Sequence, residues 1–253
     1  MLAVTRLNKI KEIVYEKKSV TVLELAELFK ITPETIRRDL KTLEDSGLLK
    51  KTYGGAYIED GVTNEVNFSI KENIMVETKK MIAKKCRSFI SNGDSIFLDP
   101  STTSYYICDE ITDMRLTVLT NSLKVINKLS EHRDISLISL GGAFFNKSMS
   151  FAGRNAVQNL NNYFVDKAFI SCEALSIENG ITDSNEELSL VRQLAIKRSN
   201  ETYLLADHTK FDKACFINTN NFENINYIVV DKKLTSDWDI FLEQHQIELV
   251  VCE

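Results

Sequence analysis

The chain has 253 residues, of which 43% are hydrophobic and 26% charged, with only two prolines and nine glycines. This is an ordinary globular composition, and it excludes collagen-like, low-complexity and disordered classes. The formal net charge is −5, but residues 1–60 carry 11 basic and 10 acidic side chains, so the acidity belongs to the remainder. For nucleic-acid binding, the placement of charges in this first part matters more than their sum.

The start of the chain and its cysteines indicate a cytoplasmic protein. No apolar run approaches the roughly 18 residues needed to span a bilayer, and the first residues lack the apolar core of a signal peptide. The five cysteines are odd in number and contain no CxxC pair, which argues against a disulfide framework or a zinc site. We therefore expect a protein without a metal or cofactor in a reducing cytoplasm.

Three short helices are predicted before residue 48. Apolar side chains at spacings of three and four predict a helix over residues 5–17. Thr21, with a glutamate three residues later, has the pattern of a capping box and predicts the start of a second helix. Thr32 followed by Pro33 predicts the start of a third helix, and Gly47 its end. Two short strands around a glycine turn are expected next, so residues 1–58 are predicted to form a winged helix-turn-helix domain.

The third helix is predicted to present one face to DNA. At about 100° per residue, Ile36, Leu40 and Leu43 share the side that faces the core. The candidate DNA contacts on the helix are Thr32, Glu34, Thr35, Arg37, Arg38 and Lys41, and those on the wing are Tyr53, Gly54 and Gly55. Arginine can read a guanine edge, and lysine and threonine can hold phosphates. A solvated helix face would look the same in isolation, but the preceding helix, the cap and the wing favour DNA.

Residues 20–56 also carry a family resemblance. They read VTVLELAELFKITPETIRRDLKTLEDSGLLKKTYGGA, in which ELAE, TIRRDL, the glycine stop and GGA resemble the N-terminal signature of DeoR-type bacterial transcription regulators. Tyr53 departs from the histidine that commonly precedes GGA in that family. The resemblance implies a DNA-binding regulator.

Residues 59–75 show no long periodicity, and we expect them to be a linker. Strand-like and helical patterns then alternate over residues 76–253. The predicted strands are 95–98, 116–119, 135–140, 168–171, 202–206, 225–230 and 248–251, and helices are predicted at 79–90, 104–111 and 123–129. Such alternation predicts an α/β domain with a largely parallel sheet.

Polar loops follow several of these strands, and in open α/β sheets ligands bind beyond the carboxyl ends of the strands. This part also resembles the DeoR sensor domain, whose fold is similar to that of sugar-phosphate isomerases. The resemblance implies a phosphorylated sugar as effector. A homo-oligomer, a dimer or a tetramer, is expected because one head of this size covers only one half-site. The candidate effector contacts are Asp99, Ser101, Thr102, Thr103, Asn121, Gly141, Gly142, Asp183, Glu187 and Lys210.

Two of these residues have defined roles in the prediction. Backbone N–H groups and hydroxyls after the first strand of the domain form a phosphate site at a helix start, and the ammonium of Lys210 is expected to neutralise the phosphate. Asp99 either accepts sugar hydroxyls or caps the following helix.

The alternative function is a sugar-phosphate isomerase with an appended DNA-binding head, in which Glu187 or Glu186, together with Lys210, would supply the acid–base pair. Val191 stands where relatives often have lysine, which weakens this alternative. The favoured prediction is a transcription regulator, a repressor of a carbohydrate operon whose operator binding responds to a phosphorylated sugar.

Overall fold

The computed structural model describes residues 2–58 and 67–252, and the chain divides into two compact units, Met1–Val76 and Glu77–Glu253. None of the helices in these described ranges is long and apolar enough to cross a membrane. Residues 59–66, the first eight of the predicted linker 59–75, lie outside the described residues.

The first unit, which we call the head, is a small helical domain with a short sheet. Its elements are α1 (Ala3–Lys17), β1 (Ser19–Thr21), α2 (Val22–Phe29), α3 (Pro33–Asp45), β2 (Lys50–Lys51), β3 (Gly55–Tyr57) and α4 (Phe68–Lys71). Thr21 accepts a hydrogen bond from the Glu24 amide at 3.1 Å, and Thr32 accepts one from the Thr35 amide at 3.4 Å, so both predicted caps are present. The described strands of the head form an antiparallel sheet in the order β1-β3-β2, in which β1 was not predicted.

The helices of the head share one apolar core. Ile10 and Leu25 are fully buried, as are the apolar side chains on the predicted inner face of α3. Ile74, near the end of the predicted linker, packs in the same core. The last part of the segment 59–75 therefore belongs structurally to the head.

The second unit, which we call the sensor, contains a parallel sheet with helices on both faces. Its helices are α5 (Val76–Arg87), α6 (Thr102–Glu110), α7 (Leu123–Leu129), α8 (Arg154–Leu160), α9 (Glu186–Lys197) and α10 (Ser236–Gln244), with a short 3₁₀ turn at His208–Lys210. Its strands are β4 (Ser95–Leu98), β5 (Leu116–Thr120), β6 (Ile135–Ser139), β7 (Ala143–Phe145), β8 (Ser150–Ala152), β9 (Val165–Ser171), β10 (Ala174–Ser176), β11 (Gly180–Asp183), β12 (Ser199–Leu205), β13 (Ile217–Asn220), β14 (Tyr227–Val230) and β15 (Glu248–Val251).

Seven of the described strands form the main sheet in the order β15-β14-β12-β9-β4-β5-β6, and every pairing in it is parallel. This confirms the predicted α/β fold. Neighbouring side chains on a strand point to opposite faces, so Ile96 and Leu98 pack with α5, α6 and α7, while Phe97 packs with α8, α9 and α10. The two faces explain why the strands read as continuous apolar runs.

Two small antiparallel sheets were not predicted. β7 pairs with β8, and β11 pairs with both β10 and β13. Each of these strands has only three or four residues, too few for a periodic pattern to distinguish them from loops. The observed ends of longer elements also differ from the predicted ends. Strand β9, for example, begins at Val165, three residues before its predicted start.

Candidate functional site

The outer face of α3 carries the predicted cations. Arg37, Arg38 and Lys41 are exposed, whereas Ile36 and Leu40 are fully buried. The guanidinium of Arg37 lies 3.3 Å from its neighbour Glu34, and Lys41 is paired with Glu44 and Asp45 at 3.4 and 2.9 Å. The side chain of Arg38 makes no hydrogen bond or ion pair within the described residues. Arg38 is therefore the cation on this face that is available to a ligand without first breaking a contact.

A part-buried ion pair that we did not predict holds α3 against α1. Arg6 donates to both carboxylate oxygens of Asp39, at 2.6 and 3.2 Å, and the hydrogen bond to Asp39 raises the pKa of Arg6. Asp39 is 6% exposed. The sequence of α3 could have predicted this pair. Around the helix axis Asp39 lies about 40° from Leu43, on the apolar side, where a carboxylate needs a partner.

The wing separates into exposed and buried residues. Tyr53 is fully exposed, and a Cβ built on Gly54 would meet nothing within 4 Å. Gly55 is buried, and a Cβ there would lie 2.0 Å from the carbonyl oxygen of Val20 in β1. The structure gives Gly55 a packing role, since the absent side chain lets β3 approach β1, and its contact with DNA stays a prediction.

The sensor has its topological switch point between β4 and β9. From β4 the sheet continues through β5 and β6 on one side, and through β9, β12, β14 and β15 on the other. Ligands of open α/β sheets bind at the carboxyl edge of such a point. The loops after β4 and β9, which carry Asp99 and Cys172, lie at this edge beside the 3₁₀ turn that ends at Lys210.

Asp99 is fully buried, and its carboxylate is saturated with hydrogen bonds. One oxygen accepts from the Ser101 amide and the Ser104 hydroxyl at 3.1 and 2.7 Å. The other accepts from the Ser171 amide at 3.0 Å and from the guanidinium of Arg192 at 2.9 Å. A carboxylate accepts about four hydrogen bonds, so neither predicted role holds: Asp99 has no acceptor left for a sugar, and the cap of α6 is Ser101. Asp99 instead ties the loop after β4 to β9 and α9.

Asp183 is also a structural residue, and Arg192, which we did not predict, connects it to Asp99. Arg192 donates to Asp183 at 2.6 Å, and Asp183 also accepts from the Thr219 hydroxyl at 2.8 Å. The side chains of Arg192 and Asp183 are 8% and 1% exposed. Burial lowers the pKa of Arg192, but Asp183 and Asp99 outweigh it and raise the pKa, so the guanidinium stays charged.

The start of α6 offers unpaired donors. The hydroxyl of Ser101 accepts from the Ser104 amide at 3.1 Å and closes the helix start. The amides and hydroxyls of Thr102 and Thr103 have no hydrogen-bond partner among the residues the structure describes. Free N–H groups at a helix start attract anions, so a phosphate at Thr102 and Thr103 stays a prediction.

Lys210 lies at the same edge of the sheet. Its Nζ donates to the Ser171 hydroxyl at 2.8 Å and to the Cys172 carbonyl at 2.6 Å. Burial lowers the pKa of Lys210, but Cys172, Asp207 and Glu173 beside it raise the pKa by more, so the side chain is a cation. An ammonium has three donors, which leaves one for a ligand. Burial raises the pKa of Cys172 to about 12, so this thiol stays protonated.

Asn121 follows β5 and has one unsatisfied buried atom. Its Nδ2 donates to the Phe151 carbonyl at 2.8 Å, which fixes the orientation of the amide. Its Oδ1 is buried without a hydrogen-bond partner. A buried carbonyl oxygen in this condition is costly unless a donor reaches it.

Gly141, Gly142 and Glu187 belong to the surroundings of β7 and β8. Both glycines have positive φ, and a Cβ on Gly142 would lie 2.5 Å from the Ala152 carbonyl. Gly142 thus serves the close approach of the loop to β8. The carboxylate of Glu187 lies 3.8 Å from the Cβ position of Gly153 and forms no ion pair with Lys210. The predicted acid–base pair is therefore not held together by a direct contact between Glu187 and Lys210.

No group of three or more histidine, cysteine or acidic side chains within residues 2–58 and 67–252 could hold a metal ion. The fold, the exposed face of α3 and the donors at the switch point together define a DNA-binding head joined to a ligand-sensing α/β domain. Comparison with known proteins agrees with this class. Residues 6–61 match the family described as the DeoR-like helix-turn-helix domain, and residues 74–232 match the DeoR C terminal sensor domain. The chain belongs to the DeoR family of transcription regulators.

Curated relatives match over most of their length. The HTH-type transcriptional regulator YulB of Bacillus subtilis is 40% identical over 92% of this chain and 91% of that protein. The lactose phosphotransferase system repressor of Staphylococcus epidermidis is 32% identical over 89% and 91%, and the HTH-type transcriptional repressor GlcR of Bacillus subtilis is 28% identical over 98% and 96%. These relatives are named as regulators, so the isomerase alternative is not favoured.

Among solved structures, ribose 5-phosphate isomerase A from Methanocaldococcus jannaschii is similar to part of the chain. The TM-score is 0.41 at 15% identity, over 54% of this chain and 55% of that chain.

Proposed function

We propose that the protein represses a carbohydrate operon and that its operator affinity changes when a phosphorylated sugar binds to the sensor. The observation that carries this proposal is the set of unpaired donors at the switch point. Thr102 and Thr103 contribute free amides and hydroxyls, and Lys210 contributes an ammonium with one free donor. Relatives named as repressors of sugar systems support the sign and the class of operon.

The phosphate of the effector occupies the start of α6 in this proposal. The N–H groups of Thr102 and Thr103 lie where the helix dipole favours an anion. The ammonium of Lys210 neutralises the remaining charge, and a hydrogen bond of this charged type contributes about 1.5–3 kcal/mol.

The sugar hydroxyls need acceptors, and Asn121 offers one. Its unsatisfied Oδ1 gains a donor when a hydroxylated ligand lies beside β5. Because Asp99 is saturated, sugar recognition through Asp99 is no longer part of the proposal.

In the head, Arg38 reads a base edge and Lys41 holds a phosphate. Arg37 and Thr35 flank them on the same helix, and Tyr53 and Gly54 place the wing along the sugar-phosphate backbone. Arg38 carries the specificity because its side chain has no competing partner in the described residues.

The protein acts in the cytoplasm. It acts there as a homo-oligomer, because one head of this size covers a single half-site. The effector favours one arrangement of the sensors, in which the paired heads no longer match the operator spacing. A shift from 1:99 to 99:1 between two arrangements requires a difference in binding energy of about 5.5 kcal/mol.

The lone tryptophan provides the test for the ligand class. Trp238 lies 5.1 Å from Phe211, which directly follows Lys210, and its Nε1 donates to Asp212 at 2.9 Å. Pentose and hexose phosphates are titrated into the full chain while tryptophan fluorescence is followed, with the unphosphorylated sugars as controls. A response confined to phosphorylated sugars, without turnover, supports the proposal. An equal response to free sugars refutes the phosphate site, and isomerisation that disappears in Glu187→Gln refutes the regulator-only function.

A further inference from the structure

The first helix of the sensor, α5, has a net charge opposite in sign to that of the rest of the domain. Within α5 there are five basic side chains and one acidic side chain, a balance of +4. Residues 88–253 carry 14 basic and 23 acidic side chains, a balance of −9. A basic helix at the start of an acidic domain is a local electrostatic feature that the effector site does not use.

Two of the five cations on α5 are unengaged. Lys80 is paired with Glu77 at 3.0 Å, and Arg87 is paired with an aspartate at 3.3 Å. Lys84 and Lys85 are exposed and make no side-chain hydrogen bond or ion pair within the described parts of the chain. Both side chains are therefore free to bind an anion without losing an internal contact.

The position of α5 along the chain suggests which anion is near. Ile74 is buried in the core of the head, and α5 begins two residues later. At 1.5 Å per residue, Lys84 lies about 12 Å along the helix from Val76. Acidic side chains that come within about 8–10 Å of DNA phosphates are repelled by them at physiological salt. A basic helix at the junction reduces that repulsion.

We propose that Lys84 and Lys85 contact backbone phosphates of the DNA that flanks the sequence read by α3. The proposal rests on the operator binding proposed above and adds a second, sequence-independent contact from the sensor. Each lysine–phosphate contact releases condensed counterions, so it appears in the salt dependence of binding with a slope of about 0.9 per contact.

The experiment compares Lys84→Gln/Lys85→Gln with a control of equal charge change. Lys197 and Lys233 are exposed cations elsewhere on the sensor, and neither has a partner in the described residues, so Lys197→Gln/Lys233→Gln is the control. The operator is first enriched from a random duplex library with the full wild-type chain. Binding is then measured by fluorescence anisotropy between about 50 and 200 mM NaCl on two probes, the trimmed operator and the operator extended by about one helical turn (10 base pairs) at each end.

On the extended probe we expect the slope of log K against log salt to become shallower by about 1 to 2 per chain in the Lys84→Gln/Lys85→Gln variant. On the trimmed probe it keeps the wild-type slope, and the control keeps it on both probes. Lys84→Arg/Lys85→Arg restores the wild-type slope, which shows that the charge matters and not the fold.

Three results overturn the inference. In the first, the salt slope of the Lys84→Gln/Lys85→Gln variant on the extended probe equals that of wild type, which would mean that the two lysines only face solvent. In the second, the salt slope of the control falls as much as that of the variant, which would mean that only net charge matters. In the third, the salt slope of the variant falls equally on both probes, which would mean that the contact is not to flanking DNA. If the wild-type chain enriches no sequence, the operator-binding proposal itself fails, and that outcome is distinguishable from these three.

Discussion

Replacing Arg192 by methionine should destabilise the sensor strongly, because the guanidinium is the counter-ion of two buried carboxylates. It donates to Asp99 at 2.9 Å and to Asp183 at 2.6 Å, and those two side chains are 0% and 1% exposed. Breaking a buried ion pair from one side costs about 3–5 kcal/mol. Since two carboxylates lose their partner, the upper end of that range is expected, against a typical total stability of about 5–15 kcal/mol.

Urea unfolding followed by the fluorescence of Trp238, which lies in the sensor, measures this loss. With a slope of about 2 kcal/mol per molar urea, the unfolding midpoint of Arg192→Met should fall by about 2.5 M. The triple variant Asp99→Asn/Asp183→Asn/Arg192→Met should recover most of the stability, because it leaves no buried charge without a counter-ion. An ordinary surface substitution changes the free energy of unfolding by less than about 0.5 kcal/mol. A loss of unfolding free energy that small in Arg192→Met would refute the role of Arg192 as counter-ion of Asp99 and Asp183.

Three further predictions concern the head and the acid stability of the sensor. Arg38→Ala should cost about 1–3 kcal/mol of binding free energy on the operator and relax base preference. Lys41→Ala should weaken binding to all sequences and reduce the salt slope by about 1. Equal, sequence-independent losses of affinity in a gel-shift comparison of the two variants would contradict the assignment of Arg38 to a base edge. Gly55→Ala should lower the melting temperature of the head and its DNA affinity, because its Cβ would meet a β1 carbonyl at 2.0 Å, while Gly54→Ala should leave the melting temperature unchanged; equal effects of the two substitutions would count against a packing role for Gly55. For Asp207, burial raises the pKa but Lys210 and a neighbouring threonine lower it further, so the folded pKa lies below the ordinary value. Its stabilising contribution is complete above about pH 4 and is lost as the pH falls through the folded pKa, so Asp207→Asn should flatten the acid side of a stability–pH profile, and an unchanged profile would show that Asp207 contributes nothing.

The elements that sequence predicts well here are those set by local chemistry. Thr21 and Thr32 cap their helices because a threonine side chain satisfies a nearby amide in the same turn. The parallel sheet follows from alternating patterns that extend over the whole domain. The helix after β4 was predicted to begin at residue 104, two residues after the observed start of α6 at Thr102, because the hydroxyl-rich segment directly follows a buried strand.

The roles of single site residues depend on distant partners, and the sequence does not contain that information in local form. Asp99 and Arg192 are 93 positions apart, so the saturation of the Asp99 carboxylate was not visible from its own loop. The packing role of Gly55 was not predicted, because its proximity to Val20 depends on strand β1, which was itself not predicted. One signal was available: Arg192 lies four residues after Leu188 and four before Ile196, on the apolar side of α9.

The most direct test of the proposed function is effector-induced release of the operator, measured in wild type and Lys210→Ala. The enriched operator duplex is bound to the full chain, and pentose and hexose phosphates are added while anisotropy is followed, with Lys210→Arg as the charge-retaining control. Losing one charge-assisted contact of about 1.5–3 kcal/mol should raise the sugar phosphate concentration needed for half-release by about ten- to a hundredfold. Operator affinity without effector should not change. If Lys210→Ala responds at the wild-type concentration, or if no sugar phosphate alters operator binding, the proposed sensing at the switch point is wrong.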